Sequence, residues 1–560
     1  KHETILVLSM KSTWWKEAIV YQIYPRSFFD SSGNGIGDLR GIIQKLEYIK
    51  SLGVDVIWLC PIYDSPNDDN GYDIRNYRKI MSEFGTEQDF DELLKEIHDR
   101  GMKLLMDLVA NHTSDEHQWF TASKASKNNT CRDYYFWRPG KNGGPPNNWK
   151  SFFGGSAWEY DEQTDEYYLH LFTKKQPDLN WENPKVRNGV YDIMNYWFQK
   201  GIDGFRMDVI SLISKLDNLP DSPFENFQKT ITEIYANGPK IHTYIQEMNE
   251  KVLSKYDVMT VGEGPGIDLN HGISYVHEDR NELNMVFHFG HMFIHNGPEG
   301  KYDPIDIELP TFKNVFNDWD HHLKDGGWGS IYLGNHDFSR MVSRFGNDKE
   351  YWEISVKLLA TLLLTLRGTV YMYQGDEIGM TNVAFPTIDD YNDVETLGSW
   401  KDALEKGKDM EAFLENVHRQ SRDNARTPFQ WSSDNFGGFS EISPWIKVNE
   451  NYVKINVHEQ EKRASSILNY YREMISFRKE NLVLVYGDYE SLDNDHKKIY
   501  AYRRWDDKDE FVVIHNFSNH EVIWQYPLLD ASYKQVKTNV DTNTNLLEFA
   551  PWQTKILKRV

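Results

Sequence analysis

Cysteine is nearly absent from this chain: Cys60 and Cys131 stand alone among 560 residues. Two thiols, one in an apolar run and one in a polar stretch, build neither a disulfide framework nor a thiolate metal cluster, and they fit a reducing cytoplasm. Positive charge is also scarce, with 62 Lys and Arg against 85 Asp and Glu and a net charge of −23. Such a field repels phosphate backbones and acidic membrane surfaces, which argues against a nucleic-acid partner. Long apolar runs are missing too. The longest, LLATLLLTLRGTVYMY from Leu358, is broken by Arg367 and Gly368 and falls short of the roughly 20 residues that span a bilayer. A soluble protein with no membrane partner is expected. The opening KHETILVLSM has one Lys and a very short apolar stretch without a small-residue cleavage site, and reads as a leader or an appended remnant.

What the chain does have is length and aromatic surface. A span of 560 residues exceeds one simple core but suits a barrel with insertions and an appended domain. Its 18 Trp and 32 Tyr suit a site that stacks on flat sugar faces, although core packing accounts for most of them. Eight short apolar runs begin at Ala18, Val54, Lys103, Gly204, Val258, Leu283, Ser330 and Thr369, and each gives way to polar residues and then to a longer helical pattern. Segments such as IIQKLEYIKSLG and DFDELLKEIHDRGM repeat apolar residues at three- and four-residue spacing and stop at glycine. The expected fold is α/β: a (β/α)8 TIM barrel over 11–112 and 181–482. The Gly-, Pro-, Asn- and Trp-rich stretch 113–180 exceeds a βα loop and is expected to form a lobe over the barrel mouth. After about Leu482, short alternating segments with Asn and Asp turns predict a C-terminal antiparallel β-sandwich over 483–560.

In a TIM barrel, polar residues closing the strands converge on one mouth. Asp208, Glu263 and Asp337 each end an apolar run. Any one of them alone could be a structural salt-bridge partner, yet three barrel strands ending in acids by accident would be costly. Glycosidic cleavage needs one carboxyl to protonate the leaving oxygen and another to attack or support the anomeric carbon. Arg206, two residues before Asp208 on the same strand face, is expected to keep that aspartate ionised, with Glu263 held protonated as the acid.

The motifs DLVANH, GFRMDV, GEG and NHD, in that order, resemble the four signature regions of the α-amylase superfamily, glycoside hydrolase family 13. QPDLNW from Gln176 and DNARTPFQW from Asp423 further resemble its oligo-1,6-glucosidase subfamily. The likeness extends over essentially the whole chain after the first ten residues. It implies Asp208 as nucleophile, Glu263 as general acid/base and Asp337 as the acid that holds sugar hydroxyls. His112 and His336 match the pair of histidines that hydrogen-bond the non-reducing glucose, although without the motif each would more often be structural, and Arg206 matches the arginine beside the nucleophile. SPNDDNGYDI from Ser65 resembles a loop in which Asp69, paired with Arg426, binds distal hydroxyls and Tyr72 stacks on the ring, blocking the far end. Phe153, Phe172 and Gln176 match other pocket positions. Val209, after the nucleophile, resembles the state associated with α-1,6 preference. An exo-acting α-glucosidase on short α-glucosides such as isomaltose is the implied activity, with a small oligosaccharide as its partner and no catalytic cofactor.

Asp30, Ser32, Asn34, the Ile36 carbonyl and Asp38 in DSSGNGIGD place oxygens at alternate positions, as a hard cation requires. The stretch resembles the subfamily's Ca²⁺ loop, with Ser32 and Asn34 where Asn and Asp are usual; a glycine-rich turn without an ion is the other reading. Gly264, the glycine of FHFGHM and Phe338-Ser339 also depart from the usual pattern and are expected on the leaving-group side. A sucrose isomerase or transglucosylase is the alternative enzyme, disfavoured by Val209 and by GHMFIHNGPEG in place of an arginine-rich loop. A trehalose-6-phosphate hydrolase lacks a recognisable phosphate pocket here. A non-catalytic amylase-like binding protein would lack the full acid set. The sequence sets no oligomeric state.

Overall fold

The computed structural model describes residues 13–541 and 545–560, so the opening ten residues lie outside the described part. Each of the eight apolar runs contributes a parallel barrel strand: β1 Ile19–Ile23, β2 Val56–Leu59, β3 Lys103–Val109, β4 Gly204–Asp208, β5 Met259–Glu263, β6 Met285–Phe287, β7 Ser330–Ile331 and β8 Thr369–Tyr373. Their side chains are buried on both faces, which is why the runs read as continuous rather than alternating apolar sequence. The hydrogen-bonded order β6-β5-β4-β3-β2-β1-β8-β7 nearly closes, and Ser330 Oγ bridges the remaining seam by donating to the Val286 carbonyl at 2.8 Å. At Gly204 a Cβ would lie 2.0 Å from the Met259 carbonyl oxygen, so β4 and β5 approach closely only with glycine there.

DFDELLKEIHDRGM forms the helix Glu87–Asp99, started by a Thr86/Asp89 capping box and burying Phe90, Leu93, Leu94 and Ile97 as one stripe. The longest apolar run splits into the helix Trp352–Thr365, which is buried on nearly every side, and strand β8. No helix among the described residues is long and apolar enough to cross a membrane.

The insert after β3 carries a three-stranded antiparallel sheet of Trp137–Arg138, Glu166–Leu169 and Trp158–Asp161. A second insertion follows β8, within the stretch expected to be barrel. Its helices Val394–Glu405 and Met410–Gln420 pack around Tyr302, Phe413 and Val417. At the C-terminus a five-stranded antiparallel sheet buries Tyr500, Tyr502, Phe511 and Val513 against the barrel, and Ile499, Val512 and Ile514 in a separate outer core. Residues Val483–Tyr486 are still helical, so the sheet begins at Asp488. Its strands Asp488–Leu492 and Tyr533–Thr538, the two outermost, were not recognised as strands in the sequence.

Candidate active site

Asp208 and Glu263 are the last residues of β4 and β5, while Asp337 lies in the loop after β7. They line one cavity with Asp69, Tyr72, His112, Phe153, Phe172, Val209 and His336. Arg206, in the middle of β4, is fully buried and organises its floor. Nη1 donates to Asp208 Oδ1 at 2.8 Å and to Asp107 Oδ1 at 2.6 Å, and Nη2 donates to Glu263 Oε2 at 2.6 Å. The expected contact with Asp208 is present, and the guanidinium also spans to Glu263. Burial, and then the neighbouring Glu263 carboxylate, push the Asp208 carboxyl well above its ordinary range, with Arg206 opposing. Asp107 was missed in the sequence reading although it is an acid inside an apolar strand. It pairs in register with Arg206, accepts from Trp58 Nε1 at 2.9 Å, and is raised by burial to about 6.

At the closed end, Asp69 does not bond to Arg426 as expected. Arg422 Nη2 donates to Asp69 Oδ1 at 3.1 Å and to Asp393 Oδ1 at 2.6 Å, whereas Arg426 Nη2 donates to Asp337 Oδ1 at 3.2 Å. One short 3₁₀ turn, Arg422–Ala425, brings both arginines to the site, and only the fold decides which acid each one meets. Gln176 Nε2 donates to Asp69 Oδ2 at 3.1 Å and completes the wall. Burial works against ionisation of Asp337, but the Arg422 and Arg426 guanidiniums outweigh it and hold that carboxyl well below the usual range.

His336 Nδ1 accepts from Gln22 Nε2 at 2.8 Å, which places the ring proton on Nε2. That buried nitrogen has no hydrogen-bond partner, although Asp337 Oδ2 is 3.3 Å away, so a donor stands ready for a ligand oxygen. Burial keeps His336 neutral. His112 Nε2 is 3.2 Å from the Tyr72 carbonyl, and burial lowers this imidazole to about 4. The Arg422 guanidinium lies 5.0 Å over the Phe153 ring.

Phe289, Phe293, Lys301, Phe338 and Glu395 also line the cavity. Of the three departures expected on the leaving-group side, Phe338 is a lining residue. Gly264 instead faces Ile267, whose Cδ1 would be 2.5 Å from an added Cβ, and Gly290 faces Val315 at 2.7 Å. Neither glycine lines the cavity.

The Asp30–Asp38 loop is folded on its own donors. Asp30 Oδ1 accepts from the amides of Ser32 and Gly33, and Oδ2 from Gly35 N and Ser440 Oγ. Asp38 caps the helix that follows it and accepts from Ser31, while Asn34 Oδ1 turns back onto Ile36 N. These oxygens fit a cation poorly, since it would have to share lone pairs already in use. Among the described residues, no group of three or more His, Cys, Asp and Glu is arranged to hold a metal.

Comparison with known proteins places these features in context. Residues 22–487 match the family described as alpha amylase, catalytic domain. The chain is 52% identical to an oligo-1,6-glucosidase of Parageobacillus thermoglucosidasius, over 98% of this chain and 99% of the relative. It is 53% identical to one of Bacillus cereus, over 98% and 100%. Among solved structures, an isomaltulose synthase variant of Erwinia rhapontici NX5 in complex with its natural substrate sucrose superposes with a TM-score of 0.95 at 46% identity, covering 98% of this chain and 99% of that one.

Proposed function

The chain belongs to the α-amylase family and is a glycoside hydrolase, and from that premise we propose an exo-acting α-glucosidase that releases terminal glucose from short α-glucosides with α-1,6 linkages favoured. The observation that carries this reading is the blind end of the cavity. Asp69, held by Arg422 and Gln176, stands where a further sugar would have to enter, so only a chain end fits. The oligo-1,6-glucosidase names of the relatives, at about half identity over nearly their whole length, support the linkage.

In this mechanism Asp208 attacks the anomeric carbon while Glu263 delivers its proton to the leaving oxygen, and water then releases glucose with Glu263 acting as base. A single guanidinium touching both acids favours the roughly 5–5.5 Å carboxyl spacing of a retaining enzyme over the wider spacing of an inverting one. Asp337, ionised between Arg422 and Arg426, accepts from sugar hydroxyls, and His336 Nε2 donates to one. Tyr72, Phe153 and Phe172 cover the ring. No step runs through a metal, and Ca²⁺ at the Asp30–Asp38 loop would act on stability alone. Glucose release from isomaltose and maltose in parallel, with the products from sucrose, tests the assignment. Faster isomaltose cleavage supports it, faster maltose cleavage overturns the linkage, and isomaltulose or trehalulose accumulating from sucrose moves the chain to the isomerase reading.

A further inference from the structure

A second cavity, of about 620 Å³, opens where the segment after β6, the short helix Met341–Phe345, the end of the helix Met410–Gln420 and the C-terminal domain meet. It shares no lining residue with the catalytic cavity. Phe345, Phe517 and Trp552 give it apolar walls.

Arg344, on its inner side, carries a charge that no acid balances. Its Nη1 donates to His295 Nδ1 at 3.2 Å and, at a long 3.4 Å, to the Met292 carbonyl, while Nη2 donates to Ser339 Oγ at 3.0 Å and to Gln420 Oε1 at 2.9 Å. All four acceptors are neutral. Nε has no partner, and no carboxylate among the described residues forms an ion pair with this guanidinium. Burial, and then the Arg419 charge, push it down to about 9. A cation taken out of water without a counter-charge is costly, so the fold leaves a demand for an anion here.

His295, which is 3% exposed, stands between that charge and the cavity it lines. An arginine can only donate, so His295 Nδ1 accepts and the ring proton sits on Nε2. That N–H has no hydrogen-bond partner among the described residues. Burial, and then the Arg344 charge, hold the imidazole down to about 3, so it stays a neutral donor. Lys497, exposed at the mouth, is in no ion pair either. Of the two acids at the rim, Asp306 is taken by Arg419 at 2.7 Å and Glu308 pairs with none of the three cations.

We infer that this cavity binds a phosphate group, free or carried on a small sugar, whose oxygen accepts from His295 Nε2 while Arg344 behind the ring and Lys497 at the mouth supply the opposing charge. An anion on Nε2 and a cation on Nδ1 polarise the same imidazole, which strengthens both hydrogen bonds. Two cations without acids of their own match a dianion, and the aromatic walls leave room for a sugar face beyond the phosphate.

Isothermal titration calorimetry of the full chain with inorganic phosphate, glucose 6-phosphate and acetate, at constant ionic strength in chloride, tests this. One phosphate group per chain is expected to bind, roughly tenfold more weakly in His295→Phe and more weakly still in Arg344→Met. Tighter binding of glucose 6-phosphate, equally sensitive to both variants, makes a sugar phosphate the ligand, and equal affinities make it free phosphate. Absence of saturable binding overturns the inference, and so does binding that both variants leave unchanged, which would lie elsewhere on the chain. Acetate binding as tightly as phosphate overturns the choice of anion. If Arg344→Met fails to fold, His295→Phe and the surface change Lys497→Gln carry the same test.

Discussion

Arg206 Nη2 lies 2.6 Å from Glu263 Oε2 while Nη1 of the same guanidinium holds Asp208. One cation therefore sits between the two acids and fixes their relative position. Turnover is expected to be bell-shaped in pH, as a mechanism that needs one ionised and one protonated carboxyl requires. Arg206→Lys keeps the charge but cannot reach both carboxyls, so kcat on isomaltose should fall roughly 100-fold and the two limbs of the profile should move. Wild-type kcat with a superimposable profile would contradict the bridging role.

Burial lifts the Asp69 carboxyl to about 7 in spite of Arg422 and Arg426. The folded protein then keeps a proton that the unfolded chain releases near pH ~3.9. This group's stabilisation is complete below that pH and is lost as pH rises through the folded value. Asp69→Asn does not titrate, so relative to wild type it should gain on the order of 1–3 kcal/mol between pH 5 and pH 8, while losing isomaltose turnover with its hydroxyl acceptor. Thermal melts at the two pH values check this, and a difference that grows toward acid would contradict it.

Val209 holds φ at 37°, in the left-handed region where a β-branched residue costs roughly 1–3 kcal/mol. The conformation lets its amide donate to Glu263 Oε2 at 3.1 Å while its side chain lines the cavity and joins the core of Phe172, Ile231 and Ile234. The residue proposed to read linkage thus also helps seat the proposed acid. Val209→Thr, almost the same shape but with a hydroxyl, is expected to raise the maltose-to-isomaltose ratio of kcat/KM about tenfold. An unchanged ratio would remove Val209 from the linkage account.

The Asp30–Asp38 loop supplies its own hydrogen bonds. Prolonged treatment with EDTA should leave kcat unchanged and move Tm by less than about 2 °C, which is about 2 kcal/mol for a chain of 560 residues. A larger loss restored by Ca²⁺ would show that the loop opens to an ion.

All eight barrel strands were legible because doubly buried parallel strands are continuous apolar runs; Asp208 and Glu263 were legible because each closes one of them, whereas Asp337 lies in the loop six residues beyond the end of β7. The outer strands Asp488–Leu492 and Tyr533–Thr538 were not, since DYESL and YKQVKT leave much of their surface in solvent and carry little apolar pattern. Asp107 was visible as an acid among apolar neighbours, but its role depends on the register that sets it beside Arg206. The exchange of Arg422 for Arg426 at Asp69 has the same origin: two arginines four residues apart look equivalent until a 3₁₀ turn lets both meet Asp337 but only Arg422 bond to Asp69. Lys301 and Glu395 are 94 residues apart in the chain, and no local pattern joins them.

Time-resolved ¹H NMR of isomaltose hydrolysis tests the central claim most directly, because it reads linkage and stereochemistry together. The account predicts that newly released glucose appears first with an excess of the α-anomer, which then decays to the mutarotation equilibrium. An initial excess of the β-anomer would contradict a glucosyl intermediate on Asp208, and isomaltose left intact would contradict the α-1,6 assignment.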